Sequence, residues 1–221
     1  MIDWNKIETV LLDMDGTLLD LHFDNFFWQE YLPAKWGEIH QLDSESAKQD
    51  LVPRFRDRAG TLSWYCIDYW SDNLNIDIMS LKADLEHLIR LRPHSESLLQ
   101  FLNRIDKHPV MVTNAHEKLI SMKMKKTGIE KYFLRIFCAH NMGAPKENID
   151  FWEQLSREVA FMPDQTVLID DNLTVLRTAR DFGIRHLFTI ERPDSSKPER
   201  KIDEFPVIES FEQLFEQQRE A

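Results

Sequence analysis

Asp13 and Asp15 stand two positions apart at the end of an apolar run, and Gly16 behind them lets the backbone turn sharply away. Two carboxylates so placed can share one reaction. One attacks phosphorus to give an acyl phosphate, while the other protonates the leaving oxygen and later deprotonates water. The same letters also spell an ordinary Asp-Gly turn closing a strand, so the pair needs company before it means chemistry. Three further sites supply it. Thr113-Asn114 offers a hydroxyl, an amide and loop N–H groups beside the start of a helical segment, a place suited to phosphate oxygens. Lys146, after Pro145, brings an ammonium able to neutralise the attacking carboxylate and the transferring group. Asp170-Asp171 follows the apolar Val167-Leu168-Ile169, where ionised acids are unfavourable unless a cation or hydrogen bonds compensate them. Asp13, Asp15, Asp170 and Asp171 gathered at one edge would repel one another, and a hard divalent ion with oxygen ligands, together with Lys146, answers that repulsion.

The elements that must hold these residues are legible as alternating patterns. Short apolar runs at Ile7 to Leu12, Val110 to Val112, Ile136 to Cys138, Val167 to Ile169 and His186 to Ile190 read as buried parallel strands, several ending in reactive polar residues. Between and after them lie helical periodicities at Ser95 to Ile105, Glu117 to Lys126 with Gly128 as a stop, Ile149 to Val159, and Leu173 to Phe182 closed by Gly183. Such alternation predicts an α/β fold, a Rossmann-like parallel sheet flanked by helices, with ligands bound at the carboxyl ends of the strands. The interval 20–92 has helix-like periodicity and no strand run, and it holds Trp28, Tyr31, Trp36, Trp64, Tyr65, Tyr69 and Trp70. It predicts a helical cap inserted after the first strand and lying over the polar strand ends, with 1–19 and 93–221 forming the catalytic core. Ser210 and Gln213 predict a short terminal helix.

Composition narrows the partners. With 27 Lys plus Arg against 38 Asp plus Glu, the 221-residue chain carries a formal charge of -11, which repels nucleic-acid backbones and anionic membranes. It repels a small phosphate ester at long range too, so an anion site needs its own local cations. There is no apolar stretch of membrane-spanning length and no basic, apolar leader at the first residues, so a cytoplasmic protein is expected. Cys66 and Cys138 lie far apart in unlike contexts and read as free core thiols.

Taken in order, Asp13-Met14-Asp15-Gly16-Thr17-Leu18, Thr113-Asn114, Lys146 and Asp170-Asp171 resemble the four motifs of the haloacid dehalogenase superfamily. The resemblance implies a magnesium-dependent reaction through an aspartyl-phosphate. Asp13 would be nucleophile and metal ligand, and Asp15 the general acid/base, lending the metal its backbone carbonyl. Thr113 and Lys146 would hold phosphate. The last motif often reads Gly-Asp; here it reads Ile169-Asp170-Asp171, which leaves open whether Asp170 or Asp171 touches the metal, Asp171 being the better match. More narrowly, the segment from Leu11 to Leu21, Trp64-Tyr65-Cys66 with Asp68-Tyr69-Trp70-Ser71, and Thr113-Asn114-Ala115-His116 are similar to bacterial GMP/IMP nucleotidases. That likeness implies a purine nucleoside 5'-monophosphate as the small phosphate ester, with cap aromatics offering stacking faces, although any single one of them more often just packs the cap. A phosphosugar mutase shares the four motifs, and a binding module that has lost turnover shares the fold. A dehalogenase would have no use for Asp15, since a halide leaves without a proton.

Overall fold

The computed structural model describes residues 2–215; the last positions of the expected core stretch, 216–221, lie outside the described residues. Six parallel strands form one sheet in the order β3-β2-β1-β4-β5-β6. They are β1 (Thr9–Leu12), β2 (Val110–Thr113), β3 (Arg135–Cys138), β4 (Thr166–Ile169), β5 (His186–Ile190) and β6 (Val207–Ile208). The first five match the apolar runs. The two-residue β6, pairing Thr189 with Val207, is too short to leave a periodic trace in the sequence.

β1 is central because it is apolar on both faces. Val10 and Leu12 point into one buried cluster with Met111, Val167 and Ile169, whereas Leu11 points into another with Val112, Leu168, Phe151, Trp152 and Leu176. The period-2 alternation of a strand therefore serves two helical layers. Helices α7 (Ser95–Arg104) and α8 (Glu117–Thr127) cover the first face; α10 (Ile149–Glu158) and α11 (Leu173–Phe182) cover the second. The short α9 (Ala139–Met142) follows β3 directly. Gly128 and Gly183, at φ of 69° and 118°, end α8 and α11 in the left-handed conformation the sequence anticipated. The expected terminal helix is a single 3₁₀ turn at Phe211–Leu214, capped by Ser210, whose side chain accepts from the Glu212 N–H.

Between β1 and β2 run α1 (His22–Phe26), α2 (Leu32–His40), α3 (Ser44–Arg56), α4 (Leu62–Tyr65), α5 (Ile67–Leu74) and α6 (Ile78–Asp84). A π-helical turn at Phe27–Tyr31 joins α1 to α2, just ahead of Pro33, which has no N–H to give to a regular ladder. The chain enters and leaves this segment side by side, with the Asp20 N–H donating to Arg90 O at 3.0 Å and the Arg92 N–H to Leu18 O at 2.9 Å. Its interior is aromatic: Trp28 stacks on Trp64 with ring centroids 5.8 Å apart, and both meet Phe55 and Trp70 edge-on.

Candidate active site

The sheet order changes direction at β1, with β2 on one side and β4 on the other, and a cleft opens at the carboxyl ends of strands on the two sides of such a point. Register decides what meets there. Leu12 pairs with Ile169, so the residues that follow, Asp13 and Asp170, emerge side by side, and the Asp13 N–H donates to Ile169 O at 3.0 Å. Thr113 ends β2 next door. All seven residues singled out by the sequence, Asp13, Asp15, Thr113, Asn114, Lys146, Asp170 and Asp171, line one cavity of about 400 Å³.

Lys146 lies fully buried between the two strand ends. Its Nζ donates to Asp13 Oδ1 and to Asp170 Oδ2, both at 2.6 Å, and to Val112 O at 3.1 Å. Burial alone would lower its pKa; the carboxylates of Asp13 and Asp170 outweigh that and hold it above the ordinary lysine value, so it remains an ammonium. The acids fare differently. Burial raises Asp170 to about 7 despite Lys146, and burial with the neighbouring charges of Asp13 and Asp170 raises Asp171 well above the usual carboxylate range. Asp13, Asp170 and Asp171 each offer a carboxylate oxygen, all within 4.8 Å of one another, and Asp13 Oδ2 is buried with no hydrogen-bond partner. An unpartnered anionic oxygen inside a ring of oxygen donors is what a hard divalent cation satisfies, and the donor set fits one. Gly16 makes the approach possible: at φ 84°, a Cβ built there would lie 2.7 Å from Asp171 Cγ.

Asp15 lines the same cavity and is paired with Lys123. Burial raises it to about 6, opposed by Lys123, whose Nζ lies 2.6 Å from Asp15 Oδ1. Thr113 Oγ1 accepts from the Ala115 N–H at 3.1 Å and sits at the sheet edge beside Asp13. Asn114 ties two loops together, its Oδ1 accepting from the Lys146 N–H at 2.9 Å and its Nδ2 donating to Glu147 Oε2 at 2.9 Å. His116 caps α8, its Nδ1 accepting from the Lys118 N–H, and its ring meets that of His140 edge-on with centroids 4.9 Å apart. Cys138 is buried at the end of β3, whereas Cys66 is only partly buried and caps α5, accepting from the Tyr69 N–H.

Several groups around the cavity escaped the sequence reading. Glu147 accepts from Asn114, from Asn172 Nδ2 at 3.0 Å, and from the Tyr65 hydroxyl, whose pKa burial and this carboxylate push up. Arg200 donates to Asp171 O at 2.9 Å and Ile190 O at 2.7 Å, bracing the strand ends from a late loop with no recognisable spacing. Lys123 did leave a signal: Leu119, Ile120 and Met124 mark a buried helical stripe, and Lys123 falls on it.

A parallel sheet flanked by helices, with a helical segment inserted after its first strand, is the fold the four motifs implied. The profile of the haloacid dehalogenase-like hydrolases matches residues 7–183, and the chain belongs to that family. It is 34% identical over 213 residues to the GMP/IMP nucleotidase YrfG of Escherichia coli K12, covering 96% of either chain, and equally similar to the Shigella flexneri protein of that name. Family and relatives together make it an enzyme, a phosphoric monoester hydrolase. In fold it is similar to a HAD phosphatase from Thermococcus onnurineus, with a TM-score of 0.76 at 18% identity over 96% of this chain and 98% of that one. No helix among the described residues is long and apolar enough to cross a membrane.

Proposed function

We propose that this phosphatase hydrolyses nucleoside 5'-monophosphates, GMP and IMP foremost, through a phospho-enzyme on Asp13. The observation that carries the chemistry is the state of Asp13: Lys146 holds one carboxylate oxygen, and the other is buried with no partner beside Asp170 and Asp171. Similarity to the Escherichia coli nucleotidase, at 34% identity over 96% of the chain, supports the substrate class.

Asp13 attacks phosphorus, the bond from phosphorus to the ester oxygen breaks, and Asp15 gives its proton to the departing nucleoside oxygen. Asp15, now a carboxylate, takes a proton from water as the water oxygen attacks the acyl phosphate, releasing inorganic phosphate and regenerating Asp13. Thr113, Asn114 and Lys146 hold the phosphoryl oxygens, Lys146 keeping its charge throughout. Asp13, Asp171, Asp170 and the backbone carbonyl of Asp15 would hold a magnesium ion, Asp171 contributing directly; when bound it neutralises the phosphoryl oxygens and the crowded carboxylates. Residues 20–92 act as a cap over the core formed by 1–19 and 93–221. From that cap Trp28, Trp64 and Tyr65 line the cavity and offer faces to a base.

Release of inorganic phosphate from a panel of nucleotides, sugar phosphates and small phospho-acids, with and without Mg²⁺, tests both parts. The expected result is preference for GMP and IMP, strict need for the ion, and loss of turnover in Asp13→Asn. Equal rates on every ester would defeat the nucleotide assignment, and an active Asp13→Asn enzyme would defeat the nucleophile.

A further inference from the structure

From Asp15 runs a chain of alternating charge, its lysines buried and its acids partly so, whose members beyond Asp15 the reaction as written does not use. Lys123 Nζ contacts Asp15 Oδ1 at 2.6 Å and Asp24 Oδ2 at 2.7 Å, and Asp24 Oδ1 in turn accepts from Lys82 Nζ at 2.8 Å. Lys82 is wholly inaccessible and Lys123 is 1% exposed. Lys82 is seated against aromatic faces, its Nζ 4.3 Å from the Phe27 ring centroid and 4.7 Å from that of Phe23; Lys123 lies 5.2 Å from Phe23.

Buried ammonium groups are unfavourable in isolation, and an odd member in such a chain would leave an uncompensated charge. While Asp15 is ionised, between giving up its proton and regaining it, two cations face two anions and none is left over. The order matters as much as the count. Asp15 and Lys123 belong to β1's end and to α8, whereas Asp24 and Lys82 belong to α1 and α6 of the inserted segment. Asp15 is therefore held by a lysine that is itself held from the other side, and the second hold exists only while the inserted helices are seated on the sheet.

We infer that Lys123 is the positioning residue for Asp15, and that the Asp24–Lys82 pair makes this positioning depend on the seating of the inserted helices. This rests on the reading of Asp15 as the acid that protonates the leaving oxygen. A carboxyl anchored at Oδ1 presents its other oxygen to the cavity in one orientation, so proton delivery is pre-aligned when the helices are down. With the helices lifted, Asp24 withdraws, Lys123 loses its fixed point, and Asp15 loses its aim.

Leaving-group dependence separates this role from simple structural support. A nucleoside 5'-oxygen leaves poorly without a proton, whereas p-nitrophenolate leaves unassisted, and kcat/KM reports only the steps up to its departure. Asp15→Asn should lower kcat/KM about 10³-fold for GMP and under about 10-fold for p-nitrophenyl phosphate. Lys123→Met should show the same selectivity, near 10²-fold for GMP, and Lys82→Met the same sign more weakly, about 10-fold. Asp24→Asn, which keeps Lys123 and removes the charge and one acceptor oxygen of its anchor, provides a second route should Lys123→Met not fold, thermal melting deciding which variants are native. Equal losses on both substrates, or no loss, in folded Lys123→Met or Asp24→Asn beside a selective Asp15→Asn would overturn the inference alone. A non-selective Asp15→Asn would overturn the reading of Asp15 and this inference with it.

Discussion

Two buried lysines flank the cavity, and they differ in what they join. Lys146 bridges Asp13 and Asp170, acids from adjacent strand ends of the same sheet, so its partners are fixed by the β1–β4 register. Lys123 bridges Asp15 on the sheet to Asp24 on the inserted helices, so one of its partners comes from outside the sheet. Both are short, charge-assisted contacts, the first with almost no solvent and the second with the Asp15 side chain 19% exposed, and only the first joins acids of the sheet alone. The strand ends of one sheet thus carry Asp13, and a contact between two layers carries Asp15.

That contrast can be broken most sharply at Lys146. Lys146→Met strips the cation between two buried carboxylates, and on the proposed mechanism turnover should fall about 10³-fold on every phosphate ester, good leaving groups included. Stability should fall by about 3–5 kcal/mol, since two acids are left uncompensated in a dry site. Steady-state rates on GMP and p-nitrophenyl phosphate, with denaturant melts, check both parts; a leaving-group-selective loss would make the two lysines alike.

Magnesium sharpens the same comparison. If it binds at the Asp13, Asp170 and Asp171 oxygens as proposed, it should stabilise the folded chain by about 2.7 kcal/mol at a hundredfold excess over its dissociation constant. Thermal melts with Mg²⁺ against EDTA should show this increment in the wild type and in Lys123→Met, and its loss in Asp171→Asn. An increment surviving in Asp171→Asn would move the ion elsewhere.

Gly16 tests how tightly the strand-end group is drawn. Ala there must adopt φ 84° and place Cβ 2.7 Å from Asp171 Cγ. Gly16→Ala should lose about 1–3 kcal/mol of stability from backbone strain and, by displacing Asp171, about 10²-fold in kcat. A variant with normal rate and stability would show that the carboxylate gives way freely.

The two lysines also divide what a sequence can disclose. Lys146 stands after a proline and between two strand-ending motifs, where a cation has a reason to be, and the strand runs themselves fixed the sheet edge on which Asp13, Thr113 and Asp170 meet. Lys123 stands in a helix with Lys118, Lys125 and Lys126, and charge along a helix ordinarily means a solvated face. Only its coincidence with the stripe of Leu119, Ile120 and Met124 marks it, just as Lys82 shares the buried face of α6 with Ile78. Its partners Asp15 and Asp24 lie 108 and 99 positions away, and nothing in local spacing predicts that closure. Arg200 and Glu147 escaped for the same reason: their roles are contacts between loops, set by tertiary packing and not by period.

Glu147 offers the finest test of how sheet and inserted helices are joined. Its carboxylate accepts from Asn114 and Asn172 on the sheet side and from the Tyr65 hydroxyl on the helical side. Removing the hydroxyl in Tyr65→Phe leaves the carboxylate two donors, so no buried charge is orphaned and the loss should be near 1 kcal/mol. If that single bond helps seat the helices, kcat/KM for GMP should fall by about 3- to 5-fold, the amount equivalent to it, with kcat on p-nitrophenyl phosphate unchanged. A drop as large as that of Lys123→Met would mean that Tyr65, and not the buried charge chain, is the main tie between the two layers.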